Sequence, residues 1–153
     1  MRFRIGEPAD IEAITRLINT AFQVERFFLD QDRIASEEVR ARMNKGRFVL
    51  SEDDSALAGC VYIEPQGERA YLGLLSVDPS RQRTGLGTQL MAAGEDDARA
   101  AGCRFMDLLI VNLRLELPDY YRRLGYMETG TLPFPEEAHP KQPCHFIKMS
   151  KPL

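Results

Sequence analysis

No stretch of about 20 consecutive apolar residues, the length that spans a bilayer, occurs in this chain. Met1-Arg2-Phe3-Arg4 passes straight into a short alternating strand rather than into the apolar core of a signal peptide, so a cytoplasmic setting without a membrane partner is expected. Cysteine is scarce: Cys60, Cys103 and Cys144 are an odd number with no close pair. That excludes a disulfide framework and a cysteine metal motif, fits a reducing compartment, and leads us to expect no metal. No block of like charge stands out either, with 20 Lys and Arg against 23 Asp and Glu and a net charge of -3. A nucleic-acid partner is not expected, because neutralising phosphates needs clustered cations. The longest acidic run, Glu95-Asp96-Asp97, falls within a helical pattern and reads as a solvated face.

What is present suits one packed domain over residues 1–153, with 44% apolar and 28% charged residues. Arg2 to Ile5 reads as a strand, after which Asp10 caps a helix with apolar positions Ile11, Ile14, Leu17, Ile18, Ala21 and Phe22. A shorter, polar helix runs from about Ser36 to Met43. The Phe27-Phe28-Leu29 segment between them has no period and could cover a substrate site. An antiparallel meander follows: Phe48-Val49-Leu50, a Ser51 to Ser55 turn, Leu57 to Ile63, a turn at Pro65-Gln66-Gly67, and Tyr71 to Val77. The last of these is apolar almost throughout, as a strand covered on both faces should be.

Leu86, Leu90, Ala93, Ala98 and Ala101 mark a helix closed by Gly102, and Phe105 to Val111 is another apolar strand. Strand, helix and strand make a crossover unit whose two strands must run parallel. Pro118 suits the first turn of a short helix ending near Leu124, with Gly125 just past it. Strands near Tyr126 to Leu132 and His145 to Ser150 complete the pattern. The proline-containing loop between them excludes a regular element.

The segment from Arg81 to Thr88 joins a buried strand to a helix N-terminus. The first N–H groups of a helix lack internal partners and carry its positive dipole end, so they attract an anion. Gly85 and Gly87 clear side chains from a bulky pyrophosphate, and Arg81 and Arg83 add positive charge nearby. Two familiar phosphate loops do not fit. Gly87 is followed by Thr88 without the lysine of an ATP loop, and Leu90 stands where a dinucleotide loop has its third glycine.

The order Val77-Asp78-Pro79, Gln82-x-x-Gly85-x-Gly87, helix and parallel strand closely resembles the acetyl-coenzyme A motif of the GNAT family of N-acetyltransferases. Downstream, Tyr121-Arg122-Arg123-Leu124-Gly125-Tyr126 matches that family's Tyr-x-x-x-Gly-aromatic segment, so almost the whole chain is covered. The resemblance implies an α+β fold in α/β/α layers: about seven strands in a mixed, mostly antiparallel sheet, a central parallel β-α-β unit and about four helices. It implies that main-chain groups of Leu75, Ser76 and Val77 pair with the pantetheine arm of acetyl-CoA. It also implies that the amides of Gln82, Arg83, Thr84, Gly85, Leu86, Gly87 and Thr88 grip the pyrophosphate. The acceptor would be a small-molecule or peptide amine attacking directly in a ternary complex. Homodimerisation through the final strands stays open. The chain departs from the family at Arg114 and Leu117, where relatives often carry asparagine and alanine.

Acetyl transfer needs a deprotonated amine, a donor to the developing oxyanion and a proton for the departing thiolate. The Val77 N–H is the expected oxyanion donor. Tyr121 is the candidate proton donor, and the alternative is that it only packs against Tyr126. Tyr120, about 100° away around the helix, reads as a packing or substrate-side residue. Glu64, Glu116 or a water chain could be the base. His145 cannot pair with Cys144 across a strand and reads as a core histidine, while His139 reads as exposed. Two competing classes remain: a non-catalytic acyl-CoA or CoA-binding regulatory module, and an interaction domain whose glycine loop is only a turn.

Overall fold

The computed structural model describes residues 1–54 and 56–153. The elements in chain order are β1 (Arg2–Ile5), α1 (Ile11–Ala21), α2 (Ser36–Met43), β2 (Arg47–Asp53), β3 (Ala56–Gln66) and β4 (Arg69–Val77). They continue with α3 (Leu86–Ala100), β5 (Phe105–Val111), α4 (Leu117–Arg123), β6 (Met127–Pro133) and β7 (His145–Pro152). The seven strands form one sheet in the order β1-β2-β3-β4-β5-β7-β6, with every neighbouring pair antiparallel except β4 and β5. The fold is thus the α+β arrangement expected, with one parallel β-α-β unit in its middle.

Two apolar layers cover the faces of this sheet. On one face, Ile11, Ile14, Leu17 and Ile18 of α1 recur at helical spacing and pack with Val39, Phe48, Leu50, Cys60, Tyr62 and Leu74. On the other, Leu86, Leu90, Met91 and Ala98 of α3 pack with Val61, Ile63, Ala70, Leu72, Met106 and Leu108. Gly94 lets α3 sit this low, because a Cβ there would lie 2.8 Å from the Ile63 side chain. No described helix is long and apolar enough to cross a membrane.

Several local expectations change. Asp10 does not cap α1: it closes a preceding turn, where its carboxylate accepts from the Glu7 N–H and pairs with Arg4. The strand β3 runs on through Pro65 and Gln66, so the reversal falls at Gly67, which holds φ +73°. The strand β2 likewise continues to Asp53, and Ser55 of the expected turn lies outside the described residues. The run Glu95-Asp96-Asp97 is not a solvated face. Glu95 is buried, accepting from Tyr126 Oη at 2.8 Å and Lys151 Nζ at 2.9 Å, and Asp97 pairs with Arg47. A helical pattern read from apolar residues alone hides a buried carboxylate whose partners come from the end of the chain. His145 is exposed rather than in the core, since β7 pairs at that point with the exposed strand β6.

Candidate active site between two parting strands

The parallel strands β4 and β5 pair only where Arg69, Ala70 and Tyr71 meet Phe105, Met106 and Asp107. Beyond that point β4 stays with β3 and β5 stays with β7, so the sheet opens into a V. Its apex is clasped by Arg69, whose Nε and Nη2 donate to the two Asp107 oxygens at 2.7 and 2.6 Å.

The open wall of the V is shaped by a bulge in β4. Leu74 sits at φ +56°, a conformation costly for a branched residue, and the register against β3 shifts between Cys60 and Tyr62. The extra residue reverses which face each side chain takes: Ala70 and Leu72 point to the α3 face, Leu74 to the α1 face, and Leu75 and Val77 again to the α3 face. Asp78 N–H donates to the Ala58 carbonyl, which by antiparallel alternation turns the Ser76 main chain toward Cys60 and the Val77 main chain into the gap. Of the expected pair partners, Ser76 therefore spends its backbone on β3, and its buried hydroxyl donates to the Leu74 carbonyl.

At the mouth of this wall lies the glycine loop. Pro79–Arg81 forms one turn capped by Asp78, whose carboxylate accepts from Ser80 N. Arg83 at φ +67° and Gly85 at φ +84° then swing the backbone into α3. From Gln82 through Thr88, no main-chain N–H donates to an acceptor among the described residues, and the first such bond is Gln89 N–H to the Gly85 carbonyl. A Cβ on Gly85 would meet nothing within 4 Å, and one on Gly87 only the Tyr120 hydroxyl at 3.4 Å and Val77 at 3.8 Å. Exposed N–H groups at the positive end of a 15-residue helix fit a diphosphate. Arg81 does not add free charge there, because it is paired with Asp53 at 2.6 Å, whereas Arg83 is exposed.

Two tyrosines of α4 face this region differently. Tyr120 reaches the helix N-terminus, its hydroxyl 3.2 Å from Thr88 Oγ1. Tyr121 is 7% exposed and packs edge-on against both Tyr120 and Tyr126, with ring centroids 5.1 and 6.0 Å away. Its hydroxyl has no partner among the described residues, unlike that of Tyr126, which is bound to Glu95. Burial pushes the Tyr121 phenol well above its usual value, with Tyr120 adding to the rise and Arg114 opposing it.

The carboxylates around the V are unequal. Glu64 lies opposite Tyr71, near the apex, and accepts from Tyr62 Oη and Gln66 Nε2, both at 2.7 Å, which hold its carboxyl below the usual range. Glu116 is mostly exposed: burial works against its charge, but its own backbone N–H and Arg114 outweigh that and keep it low. Sequence reading missed Glu25, which is 9% exposed in the turn after α1 and pairs with Arg114 at 3.0 Å. Burial pushes its carboxyl above the ordinary value despite Arg114. No local pattern marks it, since its partner lies 89 residues away. The nearby segment splits: Phe28 is fully buried and meets Phe134 edge-on, while Phe27 stays exposed.

The fold finds its match in known proteins. The model of the acetyltransferase (GNAT) family matches residues 11–126. The chain belongs to the GNAT family. Among curated relatives, a mycothiol acetyltransferase from Clavibacter michiganensis is 35% identical over 83 residues, covering 54% of this chain and 27% of the relative. The chain thus matches only about a quarter of that relative's length. Among solved structures, the ribosomal-protein-S18-alanine N-acetyltransferase from Escherichia coli superimposes with a TM-score of 0.81 at 17% identity, over 99% of this chain and 92% of its own. An aminoglycoside 6'-N-acetyltransferase complexed with coenzyme A gives 0.80 at 21% identity, over 99% and 97%. These likenesses extend the GNAT fold across residues the family model leaves out, including β1 and β7.

Proposed function

We propose that this GNAT protein binds acetyl-CoA along the open edge of β4 and transfers the acetyl group to an amine nitrogen by direct attack. The observation that carries this reading is the unbroken series of N–H groups from Gln82 to Thr88 without acceptors among the described residues, at the mouth of a gap between parting strands. The diphosphate would be held by those amides, and the pantetheine arm would run beside Leu75 and Val77. The Val77 N–H, directed into the gap, would stabilise the carbonyl oxygen as negative charge develops on it. Tyr121 would protonate the departing thiolate. The phenol is protonated through neutral pH, and because burial makes it a weaker acid, delivery of its proton as the C–S bond breaks would depend on its position against the sulfur.

The acceptor class follows the relatives only loosely. Likeness to acetyltransferases of mycothiol, an aminoglycoside and a ribosomal-protein alanine supports small-molecule and peptide amines alike. The free thiols Cys60, Cys103 and Cys144 support a cytoplasmic setting. The exposure of β6 along its whole length supports pairing of two copies through the final strands, which sedimentation would test.

Calorimetry with acetyl-CoA, followed by thiol release with an aminoglycoside, a peptide beginning with alanine and simple primary amines, tests the reading. Saturation at a hundred times Kd should stabilise the fold by about 2.7 kcal/mol. Tight binding with no transfer to any amine would leave a regulatory CoA-binding module, and no binding would overturn the proposal.

A further inference from the structure

We propose that Glu25 is the carboxylate that takes the proton from the acceptor amine, held at the acceptor side of the gap by Arg114. The inference rests on the acetyltransferase reading above and assigns the proton acceptor which that reading leaves open. Glu25 is nine-tenths buried, yet only its Oε2 is engaged, by Arg114 Nη1 at 3.0 Å; Oε1 accepts nothing among the described residues. That free oxygen is not sealed in, since it is absent from the buried polar atoms that lack a partner, so an amine can reach it and give it a proton.

Its position fits the chemistry. Arg114 stands three residues past the end of β5, on the open side of the V, and its charge acts on the Tyr121 phenol. Glu25 is bonded to the guanidinium whose charge also acts on Tyr121, which puts a base and an acid at the same end of the sheet. The segment carrying Glu25 is fixed over this end of the sheet, because the Phe28 carbonyl accepts from Lys141 N–H and Phe28 meets Phe134, which packs at a tilt against Phe146 of β7. Neither other carboxylate competes well: both Glu64 oxygens are already bonded, and the Glu116 side chain is 63% exposed.

In the step itself, the amine nitrogen's electron pair bonds to the thioester carbon, the C–S bond breaks and its pair leaves on sulfur. The nitrogen's proton passes to Glu25 Oε1, Tyr121 delivers one to sulfur, and exchange with water restores both side chains. The charged and titratable groups around Glu25 are Arg114 and Glu116 after β5, Arg33 before α2 and Cys144 before β7. Burial raises the Glu25 carboxyl, Arg114 and Arg33 pull it down, and Glu116 pushes it up.

The test is the pH dependence of kcat for wild type, E25Q and E116Q, with acetyl-CoA and β-phenethylamine as the probe amine. The expected result is a fall of about 100-fold or more in kcat for E25Q. Its acidic limb above the ordinary carboxylate range should vanish while acetyl-CoA affinity is kept. In E116Q, which removes a neighbouring negative charge, that limb should move to lower pH. An E25Q enzyme within threefold of wild type and with its limb unmoved would overturn the assignment, leaving the acetyltransferase reading intact. Should E25Q fail to fold, an unmoved limb in E116Q overturns it equally. Wild type that binds acetyl-CoA but transfers nothing to the probe also counts against the assignment, whereas loss of acetyl-CoA binding itself removes the reading beneath it.

Discussion

The two sides of the V are built from different parts of the chain and by different means. The wall proposed to hold the acetyl donor is one continuous stretch, β4 through the start of α3, and what it offers is backbone: a bulged strand edge and a file of amides. The acceptor side, as proposed, is assembled from the segment after α1 and the turn after β5, and what it would offer is side chains: Glu25 and Arg114. A ligand held by main-chain groups needs only the right turns and the absence of obstructing Cβ atoms. A ligand held by side chains needs particular residues brought from far apart. The first kind of site tolerates any sequence that preserves its path, while the second can be rebuilt for a new acceptor without touching the first.

The sharpest break in this comparison is Gly85→Glu. A Cβ there meets no protein atom, so the fold should lose only about 1–2 kcal/mol for forcing a side chain to φ +84°. Acetyl-CoA affinity, read by calorimetry, should fall more than 100-fold because a carboxylate then faces the diphosphate. A thermal scan separates the two effects. A variant that still bound acetyl-CoA tightly would remove the amides from the donor side.

Next in size is the contrast between two tyrosines of one aromatic cluster. Tyr121→Phe removes a hydroxyl with no partner among the described residues and should lower kcat by about 10- to 100-fold with little change in Tm. Tyr126→Phe removes the hydroxyl bound to buried Glu95 and should cost about 1–2 kcal/mol of stability while leaving kcat nearly intact. Equal effects of both on stability, with no loss of rate, would make Tyr121 a packing residue.

The smallest effect lies away from both sides of the V. Hydrogen bonds from Arg4 and Arg2 hold Glu52 at about 2, and Arg4 likewise lowers Asp10. Lowered carboxyls stabilise the fold fully above their ordinary values, 4.5 and 3.8, and lose that contribution as pH falls through the folded values. An acid titration followed by circular dichroism should show a slightly earlier loss of structure in Arg4→Met, with acetyl-CoA affinity at neutral pH unchanged.

The order of strands and helices was legible because period and punctuation are local: α1 shows its stripe, Gly102 and Gly125 mark helix ends, and β4 reads as doubly covered. The donor loop was legible for the same reason. The bulge at Leu74 was not, since leucine carries no signal for positive φ and the register shift belongs to the pairing with β3. Glu95 and Glu25 were misread or missed because a carboxylate's burial depends on partners such as Lys151 and Arg114 that only folding brings near.

The clasp between Arg69 and Asp107 reaches from the first rung the two parallel strands share to the last. Had the ladder continued even a few rungs farther, the polar groups of β4 would have been satisfied by β5 and closed to any visitor. The molecule thus owes its capacity to hold a guest to an interruption, a sheet left deliberately incomplete and pinned at the point where it stops.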